Sequence, residues 1–431
     1  MSFAADNKVI GLIEPCYYGL GFLNALAAYE FPVVAIVSDR SAPQKYSYVG
    51  KVSDLIVVED IYDPDMVLKR IAESDYHDRF AAILPATDYL TDVAAEVAER
   101  LSLRAVSLPA AQRGRNKDLA RLAYCDAQVG SPDFRIIRKR SENETLLDAR
   151  EAARQLRYPV VLKPTNCACS QMVKRVNHET ELDTEVRHHL RFKTSMLGLA
   201  VAPTILLEEY IEGPEFSVEL FLNDGTVAFA AVTEKETTEP PYFVEIAHVT
   251  PAPIPDSWTA SLVECATRAT LALGFTYGPA HVELRMDGGK PGAVRPIIME
   301  VNARPGGDRI ATDLLRHAYG ADLFDATLCY YLDRPIDIQK RTLGACAIRY
   351  LVPQRAGKIQ AIRGLEDARR VPGVVECQVS GNEGCDVRLP QDSNDRLGYI
   401  ITFADDPITA RNLAQQVIRG LKVEYSEALA D

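Results

Sequence analysis

Three side chains with oxygen ligands are spaced so that one predicted β-hairpin brings them together. Glu300 and Asn302 are two positions apart in the apolar run IIMEVNA, so on a strand both side chains leave the same face. Glu283 lies on the preceding run, AHVELRM, and paired residues on neighbouring strands are about 5 Å apart. Such ligands suit Mg²⁺, which takes its other ligands from water and nucleotide phosphates. Alternatively, the two glutamates are ordinary solvent-facing carboxylates, although an unpaired carboxylate is costly to bury in an apolar run.

The stretches around this hairpin are typical of antiparallel strands. TILLEEYI at 204–211 and EFSVELFL at 215–222 alternate as strands do, and Asn223-Asp224-Gly225 is a hairpin turn. SLVECATRATLALGF at 261–275 has helical periodicity, and Asp287-Gly288-Gly289 supplies the turn of the second hairpin. The candidate metal ligands therefore lie on a predicted antiparallel sheet.

The two ends of the chain differ in the secondary structure that their sequences predict. Apolar runs at 8–14, 32–38 and 81–88 alternate with helical segments such as 92–103, which predicts an α/β domain with a mostly parallel sheet. The last 95 or so residues hold short strand patterns and one final helix, which favours a small α+β domain that closes the site. We therefore predict a mixed α/β and α+β protein with domains at 1–110, 111–335 and 336–431.

Composition and charge narrow the class of protein. With 431 residues, 47% of them hydrophobic, the chain has core material for several domains and is typical of a soluble globular protein. The net charge of −12 leaves no basic field for a nucleic acid or an anionic membrane. Nine cysteines without a CxxC pair indicate a reducing compartment. No signal peptide or long apolar segment is visible, so we expect a cytoplasmic location.

Several motifs together carry a family resemblance. MEVNARPGGD at 299–308 resembles the signature of ATP-grasp carboxylate–amine ligases, and HVELRM resembles the strand with the first metal ligand of that family. Lys117 in RNKDLARLA, Lys163 in VVLKPT and the stretch LLEEYIEGPEFSVE follow in the family's order. The resemblance covers essentially the whole chain. It implies an ATP-grasp fold with a biotin-carboxylase-like layout and a mobile subdomain at about 125–200.

The resemblance also implies roles for individual residues. Glu283, Glu300 and Asn302 would bind Mg²⁺, or Mn²⁺, while the nucleotide would contact Lys117, Lys163, Ser170, Glu208, Glu209, Tyr210, Ile211 and Glu215. Within that set, 208–211 would line the adenine, Glu215 would hold the ribose hydroxyls, and Lys163 would also act in catalysis. Alternatively, Glu208 and Glu209 are surface carboxylates, which is our expectation for the side chain of Glu209, and Lys163 merely extends along the surface.

The loop after Lys163 departs from the family pattern. It reads PTNCACSQMV and contains no glycine, whereas the family's phosphate loop is usually glycine-rich. We expect the small residues Ala168, Cys169 and Ser170 to serve instead, and Cys167 and Cys169 to be loop residues without thiol chemistry.

Two side chains near the hairpin are candidates for binding substrate. Arg304 is two positions beyond Asn302 and precedes Pro305-Gly306-Gly307, so we expect it to reach the reacting carboxylate, with Gly306 and Gly307 allowing close approach of the backbone. The alternative is a structural arginine paired with Asp308 or Asp313. His281 is a candidate substrate contact or catalytic base, or else a packed strand histidine.

The predicted activity is that of an ATP-dependent ligase. The enzyme would activate a carboxylate as an acyl phosphate and join it to an amine, with amino acids as the expected substrates and ADP and phosphate as products. The other hypotheses are a carboxylase, a purine-pathway ligase, or a non-catalytic ATP-binding regulator. A purine substrate would need a basic cluster, for which the candidates are Arg349, Arg355, Lys358, Arg363, Arg369 and Arg370. The expected partners are ATP, the two small substrates and a second copy of the chain.

Overall fold

The N-terminal segment folds as a parallel sheet in a computed structural model that describes residues 7–288, 294–380 and 383–426. Its elements are β1 (Val9–Ile13), α1 (Leu20–Leu26), β2 (Val33–Val37), α2 (Ala42–Lys45), β3 (Asp54–Val57), α3 (Pro64–Ala72), β4 (Phe80–Pro85) and α4 (Thr91–Arg100). The strands pair in parallel in the order β3-β2-β1-β4. Every residue of β1 and β2 is buried, since parallel sheets are covered on both faces, and this explains their unbroken apolar runs. The predicted parallel sheet is confirmed.

A small antiparallel sheet with two helices follows. The elements are α5 (Leu108–Arg115), α6 (Lys117–Asp126), β5 (Phe134–Arg138), α7 (Glu142–Leu156), β6 (Val160–Pro164), β7 (Lys174–Val176), α8 (Glu179–Arg191) and β8 (Thr204–Glu209). The strands take the order β5-β8-β6-β7. A capping box between Ser141 and Glu144 begins α7. Lys117 is the first residue of α6 and Lys163 lies near the end of β6, so two of the predicted phosphate contacts are placed at element ends.

The third part of the chain supplies the strands of a large sheet. The elements are β9 (Glu215–Asn223), β10 (Thr226–Thr237), β11 (Glu245–Thr250), α9 (Asp256–Ala272), β12 (Gly278–Asp287), β13 (Arg295–Asn302), α10 (Leu315–Tyr319), α11 (Leu323–Tyr331) and β14 (Ala345–Leu351). Asp224 and Gly225 join β9 to β10 with φ of 52° and 72°, which confirms the predicted hairpin turn. Residue 289 of the second predicted turn lies outside the described residues.

The last segment extends this sheet and adds a smaller one. Its elements are β15 (Gly357–Arg363), α12 (Leu365–Arg369), β16 (Val374–Val379), β17 (Asp386–Val387), β18 (Gly398–Ala404), α13 (Pro407–Gly420) and β19 (Lys422–Tyr425). The large sheet runs in the order β13-β12-β9-β10-β11-β14-β18-β16, and β17-β15-β19 form the smaller sheet. The large sheet therefore continues across the proposed boundary at 336, and the division into three domains stays a prediction. Each helix of the described residues falls short of what crossing a bilayer requires.

The hairpin of β12 and β13 sets the geometry of the candidate site. The antiparallel register places Glu283 opposite Glu300 and His281 opposite Asn302. On the other edge of β12, the neighbouring strand β9 places Glu219 opposite His281. The residue types that could do chemistry thus lie side by side at one end of three adjacent strands.

Candidate active site

The three candidate metal ligands face one large cavity. Glu283, Glu300 and Asn302 line a space of about 710 Å³, and the side chain of each glutamate is 25% exposed, so neither is an ordinary surface carboxylate. Lys117 Nζ lies 3.1 Å from Glu300 Oε1, and Lys235 Nζ lies 3.2 Å from Glu283 Oε1. Burial would raise the pKa of Glu283, but Lys235 and His281 hold that pKa well below its usual range. Glu283 is therefore a carboxylate anion, the form that binds a hard divalent cation.

A second, narrower cavity of about 120 Å³ adjoins the first. It is lined by all of the predicted nucleotide contacts, namely Lys117, Lys163, Ser170, Glu208, Glu209, Tyr210, Ile211 and Glu215. Glu283 and Glu300 line both cavities. The two carboxylates therefore stand at the junction, where a phosphate chain on one side and a second substrate on the other would meet.

Lys163 is held in a buried ion network. Its Nζ lies 2.5 Å from Glu208 Oε2, and Glu208 Oε1 also accepts a hydrogen bond from Arg121 Nε at 2.5 Å. Lys163 and Glu208 are 7% and 2% exposed, so the surface alternatives for both were wrong. Burial lowers the pKa of Lys163, whereas Arg121 and Lys163 together overcome burial and lower the pKa of Glu208. Arg121 was missed because its helical position is that of an ordinary surface arginine.

The predicted adenine segment lies at the end of β8. Tyr210 stacks on Phe243, with ring centroids 6.2 Å apart and planes 24° apart. The carboxylate of Glu209 accepts a hydrogen bond from the backbone N–H of Asp133 at 3.0 Å, which supports a structural role for that side chain. Glu215 accepts two hydrogen bonds from Arg285, at 3.0 and 2.8 Å. Its carboxylate is thus fixed in place beside the narrower cavity.

Lys235 is a site residue that the sequence reasoning missed. Its side chain is 1% exposed, and Nζ lies 3.2 Å from Glu215 and from Glu283 and also contacts Glu245. Burial would lower the pKa of Lys235, but the three carboxylates raise it well above its usual value. A lysine within the apolar strand TVAFAAVTEK is itself a signal of buried charge compensation, and it could have been noticed.

His281 is a buried histidine between two carboxylates. Its Nδ1 lies 2.5 Å from Glu219 Oε1 and its Nε2 lies 3.2 Å from Glu283 Oε1. Burial would lower the pKa of His281, but these partners raise it to about 9. The imidazole is therefore charged near neutral pH, which argues against a catalytic base. The sequence alone did not decide whether this histidine is a substrate contact, a catalytic base or a packed residue, because its carboxylate partner Glu219 lies on another strand.

Arg304 faces the larger cavity in an ion pair that the sequence did not predict. Its Nε and Nη2 donate to Asp88 at 2.6 and 3.2 Å, and its guanidinium lies 4.8 Å from the ring centre of Tyr18. The alternative pairing with Asp308 or Asp313 was wrong. Asp308 instead accepts two hydrogen bonds from Arg396. Gly306 and Gly307 line the same cavity.

The glycine-free loop after β6 takes up left-handed backbone conformations. Cys169, Ser170 and Met172 have φ of 58°, 56° and 58°, values that favour glycine. Lys117 Nζ donates to the carbonyl oxygen of Cys167 at 2.7 Å, and burial raises the pKa of the Cys167 thiol. Among the described residues, neither cysteine of the CxC pair belongs to a group that could hold a metal. This agrees with their interpretation as loop residues.

Comparisons with known proteins bear on the same segments. Residues 156–313 match the model of an ATP-grasp domain, and residues 349–426 match L-amino acid ligase C-terminal domain 2. Alanine–anticapsin ligase of Bacillus amyloliquefaciens is 25% identical over 59% of this chain and 56% of its own length. Carnosine synthase 1 of Gallus gallus is 34% identical over 32% of this chain and 14% of its own length, so this chain spans only part of both relatives.

The fold has solved counterparts. The crystal structure of L-amino acid ligase from Bacillus licheniformis superposes with a TM-score of 0.81 at 21% identity, over 98% of this chain and 99% of that one, which shows the fold. The predicted ATP-grasp fold is confirmed, and the two matched models cover the nucleotide segment and the C-terminal strands. This chain therefore contains an ATP-grasp domain followed by an L-amino acid ligase C-terminal domain, and its similarity to alanine–anticapsin ligase and carnosine synthase indicates an enzyme that forms C–N bonds.

Proposed function

We propose that this chain joins the carboxylate of one amino acid, or of a related acid, to the amine of a second. The donor would become an acyl phosphate, and the products would be an amide, ADP and phosphate. The observation that carries the proposal is the junction of the two cavities at Glu283 and Glu300. A γ-phosphate at this junction would face a carboxylate in the larger cavity, as transfer between them requires.

The donor set fits a divalent cation bound with ATP. Glu283, Glu300 and Asn302 offer only oxygen atoms, and they line the cavity next to the predicted phosphate contacts. We propose Mg²⁺, or Mn²⁺, as the ion. When bound, it offsets charge on the β and γ phosphates during transfer. Glu283 and Glu300 would hold that ion together, because the strand register aligns them.

The cations around the junction would stabilise the charge that moves. Lys117 and Lys163 lie on the side of the narrower cavity, and Arg304 and the charged His281 lie on the side of the larger one. Attack of the amine on the acyl carbon creates an oxyanion, which a guanidinium or imidazolium can stabilise by hydrogen bonding. The proposed catalytic roles of Arg304 and Lys163 rest on this placement.

The charge pattern of the larger cavity favours amino acids as substrates. Ion pairs line it, among them Asp88 with Arg304, Asp308 with Arg396 and Arg309 with Asp313. A zwitterion offers both signs of charge, so its ammonium and carboxylate groups can each find a partner among these side chains, which an apolar acid cannot do. The volume of about 710 Å³ lies within the range of small-molecule sites.

The basic residues named for a purine substrate are already engaged in part. Arg349 binds Glu236 at 2.8 Å, Arg363 binds Glu424 at 2.7 Å, and Arg369 binds Glu366 at 2.8 Å. A phosphate would have to displace the carboxylate partner of each of these three arginines. This favours the amino acid ligase over the purine-pathway ligase. A homodimer stays a prediction.

The test is ADP release with amino acids added singly and in pairs, together with mass spectrometry of the products. We expect ADP and phosphate in step with an amide-linked product for particular pairs. AMP with pyrophosphate would indicate an adenylating enzyme and contradict the acyl phosphate. ADP release that depends only on bicarbonate or on a nucleotide precursor would support the alternatives.

A further inference from the structure

Tyr89 links the N-terminal segment to the glycine-free loop. Its hydroxyl group donates to Gln171 Oε1 at 3.1 Å and accepts from the backbone N–H of Ala168 at 3.3 Å. The tyrosine is 3% exposed, so water competes little for these bonds. One hydroxyl group therefore ties together the two ends of the segment that contains Cys169 and Ser170.

A second connection reaches the same amide. Gln171 Oε1 also accepts from the backbone N–H of Met196 at 3.3 Å. The loop that contains Met196 is in turn bound to the N-terminal segment, because the hydroxyl group of Tyr62 donates to the carbonyl oxygen of Leu197 at 2.8 Å. Three parts of the chain thus meet at the Gln171 side chain.

These contacts explain how the loop keeps its shape without glycine. Non-glycine residues with positive φ are strained, and such strain persists only where the surroundings hold the backbone firmly. Cys169 and Ser170 lie between the two points bound by Tyr89, and Met172 follows directly. Besides the turn bonds from the backbone N–H groups of Gln171 and Val173, the bonds of Tyr89 to Ala168 and Gln171 attach this strained backbone to the N-terminal segment.

Tyr89 also lies next to the residue that binds Arg304. Asp88, Tyr89 and Leu90 form one short 3₁₀ turn, in which Asp88 binds Arg304 and Tyr89 binds the loop. A shift of this turn would therefore move both the arginine in the larger cavity and the loop over the narrower one.

We propose that Tyr89 and Gln171 are positioning residues that lock this loop closed and couple it to the Asp88–Arg304 pair. Opening the lock would admit water to the acyl phosphate, a step that rests on the proposed function. The water oxygen bonds to the acyl carbon while the bond from that carbon to the phosphate oxygen breaks, which leaves a carboxylate, phosphate and one released proton. ADP would then form without amide.

The first test measures opening of the loop and needs no substrate. Cys167 is 3% exposed, so its modification by a maleimide reports opening, while Cys346, at 0%, reports unfolding of the whole molecule. Tyr89→Phe removes the bonds of its hydroxyl group to Gln171 and Ala168, and Gln171→Ala removes the bonds of its amide to Tyr89 and Met196. Either loss should speed modification of Cys167 by about tenfold. Tyr76→Phe is the matched control, because in the part of the chain that the structure describes the Tyr76 hydroxyl donates to Asp54, outside the loop.

The outcomes separate the lock from general destabilisation. The double variant Tyr89→Phe/Gln171→Ala should react faster than either single variant but more slowly than the product of the two accelerations predicts, because the changes share the Tyr89–Gln171 bond and each removes one further bond. Modification at the wild-type rate, or at the rate of the Tyr76→Phe control, would overturn the proposal. Equal acceleration at Cys167 and Cys346 would also overturn it, since it would mean global unfolding.

The second test follows coupling during turnover. Tyr89→Phe should raise the number of ADP molecules released per amide by about threefold or more, with the KM for ATP changed less than this ratio. An unchanged ratio together with faster Cys167 modification would overturn the coupling to the reaction. Absence of amide in the wild type with every amino acid pair would contradict the proposed function instead, and the modification rates would still decide the lock.

Discussion

Most predicted site residues have a partner of opposite charge. Glu300 binds Lys117, Glu283 binds Lys235 and His281, and Lys163 binds Glu208. Buried charges are tolerated only when paired, so the pairs keep the site folded before any nucleotide arrives. A bound cation would replace the cationic partner of a glutamate, and a bound phosphate would replace the carboxylate partner of a lysine. The charge of each residue is therefore the one that its proposed function requires.

Glu300→Gln should abolish ADP formation and leave the fold intact. The change removes the anionic charge that a divalent cation needs, whereas the amide oxygen of glutamine can still accept the hydrogen bond of the buried Lys117. We would measure ADP release beside urea unfolding, with the exposed Glu212→Gln as the matched control. Turnover above about a tenth of the wild-type value would contradict the metal assignment.

Arg304→Lys should slow the chemistry and leave ATP binding nearly unchanged. A lysine cannot keep both bonds to Asp88 or present two parallel donors to an acyl group, and the loss should be about 2 to 4 kcal/mol of transition-state stabilisation. Calorimetry of ATP binding beside single-turnover ADP formation tests this. Weakened ATP binding with normal chemistry at saturation would assign Arg304 to the nucleotide or to the fold.

Strands β12 and β13 and the loop after β6 determine the positions of the candidate site residues. The antiparallel register of β12 and β13 aligns the proposed metal ligands Glu283 and Glu300, and the loop after β6 brings Ser170 to the wall of both cavities. Regular strands achieve their geometry with hydrogen bonds inside the sheet. The loop has left-handed residues in place of glycine and depends on contacts from elsewhere.

Cys169→Gly should preserve activity, and Cys169→Val should not. At φ 58° glycine is unstrained, while a β-branched residue with positive φ is a rare outlier, so valine should cost about 1 to 3 kcal/mol of local stability. The KM for ATP and urea unfolding of both variants would be compared with Cys169→Ser, which should retain activity. Strong loss of activity in the serine variant would instead indicate thiol chemistry.

At the scale of the whole molecule, ion pairs connect the C-terminal strands to the segment that follows β13. Arg396 precedes β18 and binds Asp308, which follows the metal-ligand strand β13. Arg309 binds Asp313 and Glu376, the latter on β16. These ion pairs thus connect the segment after β13 to the strands at the far side of the larger cavity.

Arg396→Leu should destabilise the protein by about 1.5 to 3 kcal/mol at about pH 7, because it removes two charge-assisted hydrogen bonds from the partly buried Asp308 carboxylate and leaves that to His248. Burial would raise the pKa of Asp308, but Arg396 holds it well below its usual value. The contribution of the pair is therefore present above the unfolded pKa of about 3.9 and is lost as the pH falls through the folded pKa.

Urea unfolding at about pH 7 and about pH 3.5 would check this, and the gap between the wild type and the variant should narrow on acidification. Arg388→Leu is the matched control, since Arg388 is 53% exposed against 14% for Arg396, and should cost less than about 1 kcal/mol. Equal losses in the two variants would contradict the argument.

Much of the site was predictable from local patterns. Strand alternation is a short-range property, so the placement of Glu300 and Asn302 on one face followed from their spacing alone. The parallel N-terminal sheet followed from unbroken apolar runs, and the β9–β10 turn from Asn223-Asp224-Gly225. In each case the physical cause lies within a few residues of the feature.

The ion partners were not predictable, because they come from distant segments. Arg304 and Asp88 are 216 positions apart, and Lys117 and Glu300 are 183 positions apart. Which carboxylate meets which cation depends on how the sheets pack against one another, and no local pattern encodes that packing. The partners of Lys235 come from other strands of the same large sheet, and the contact of Tyr89 with the glycine-free loop joins the N-terminal segment to the loop after β6, so both depend on tertiary structure and not on a local pattern.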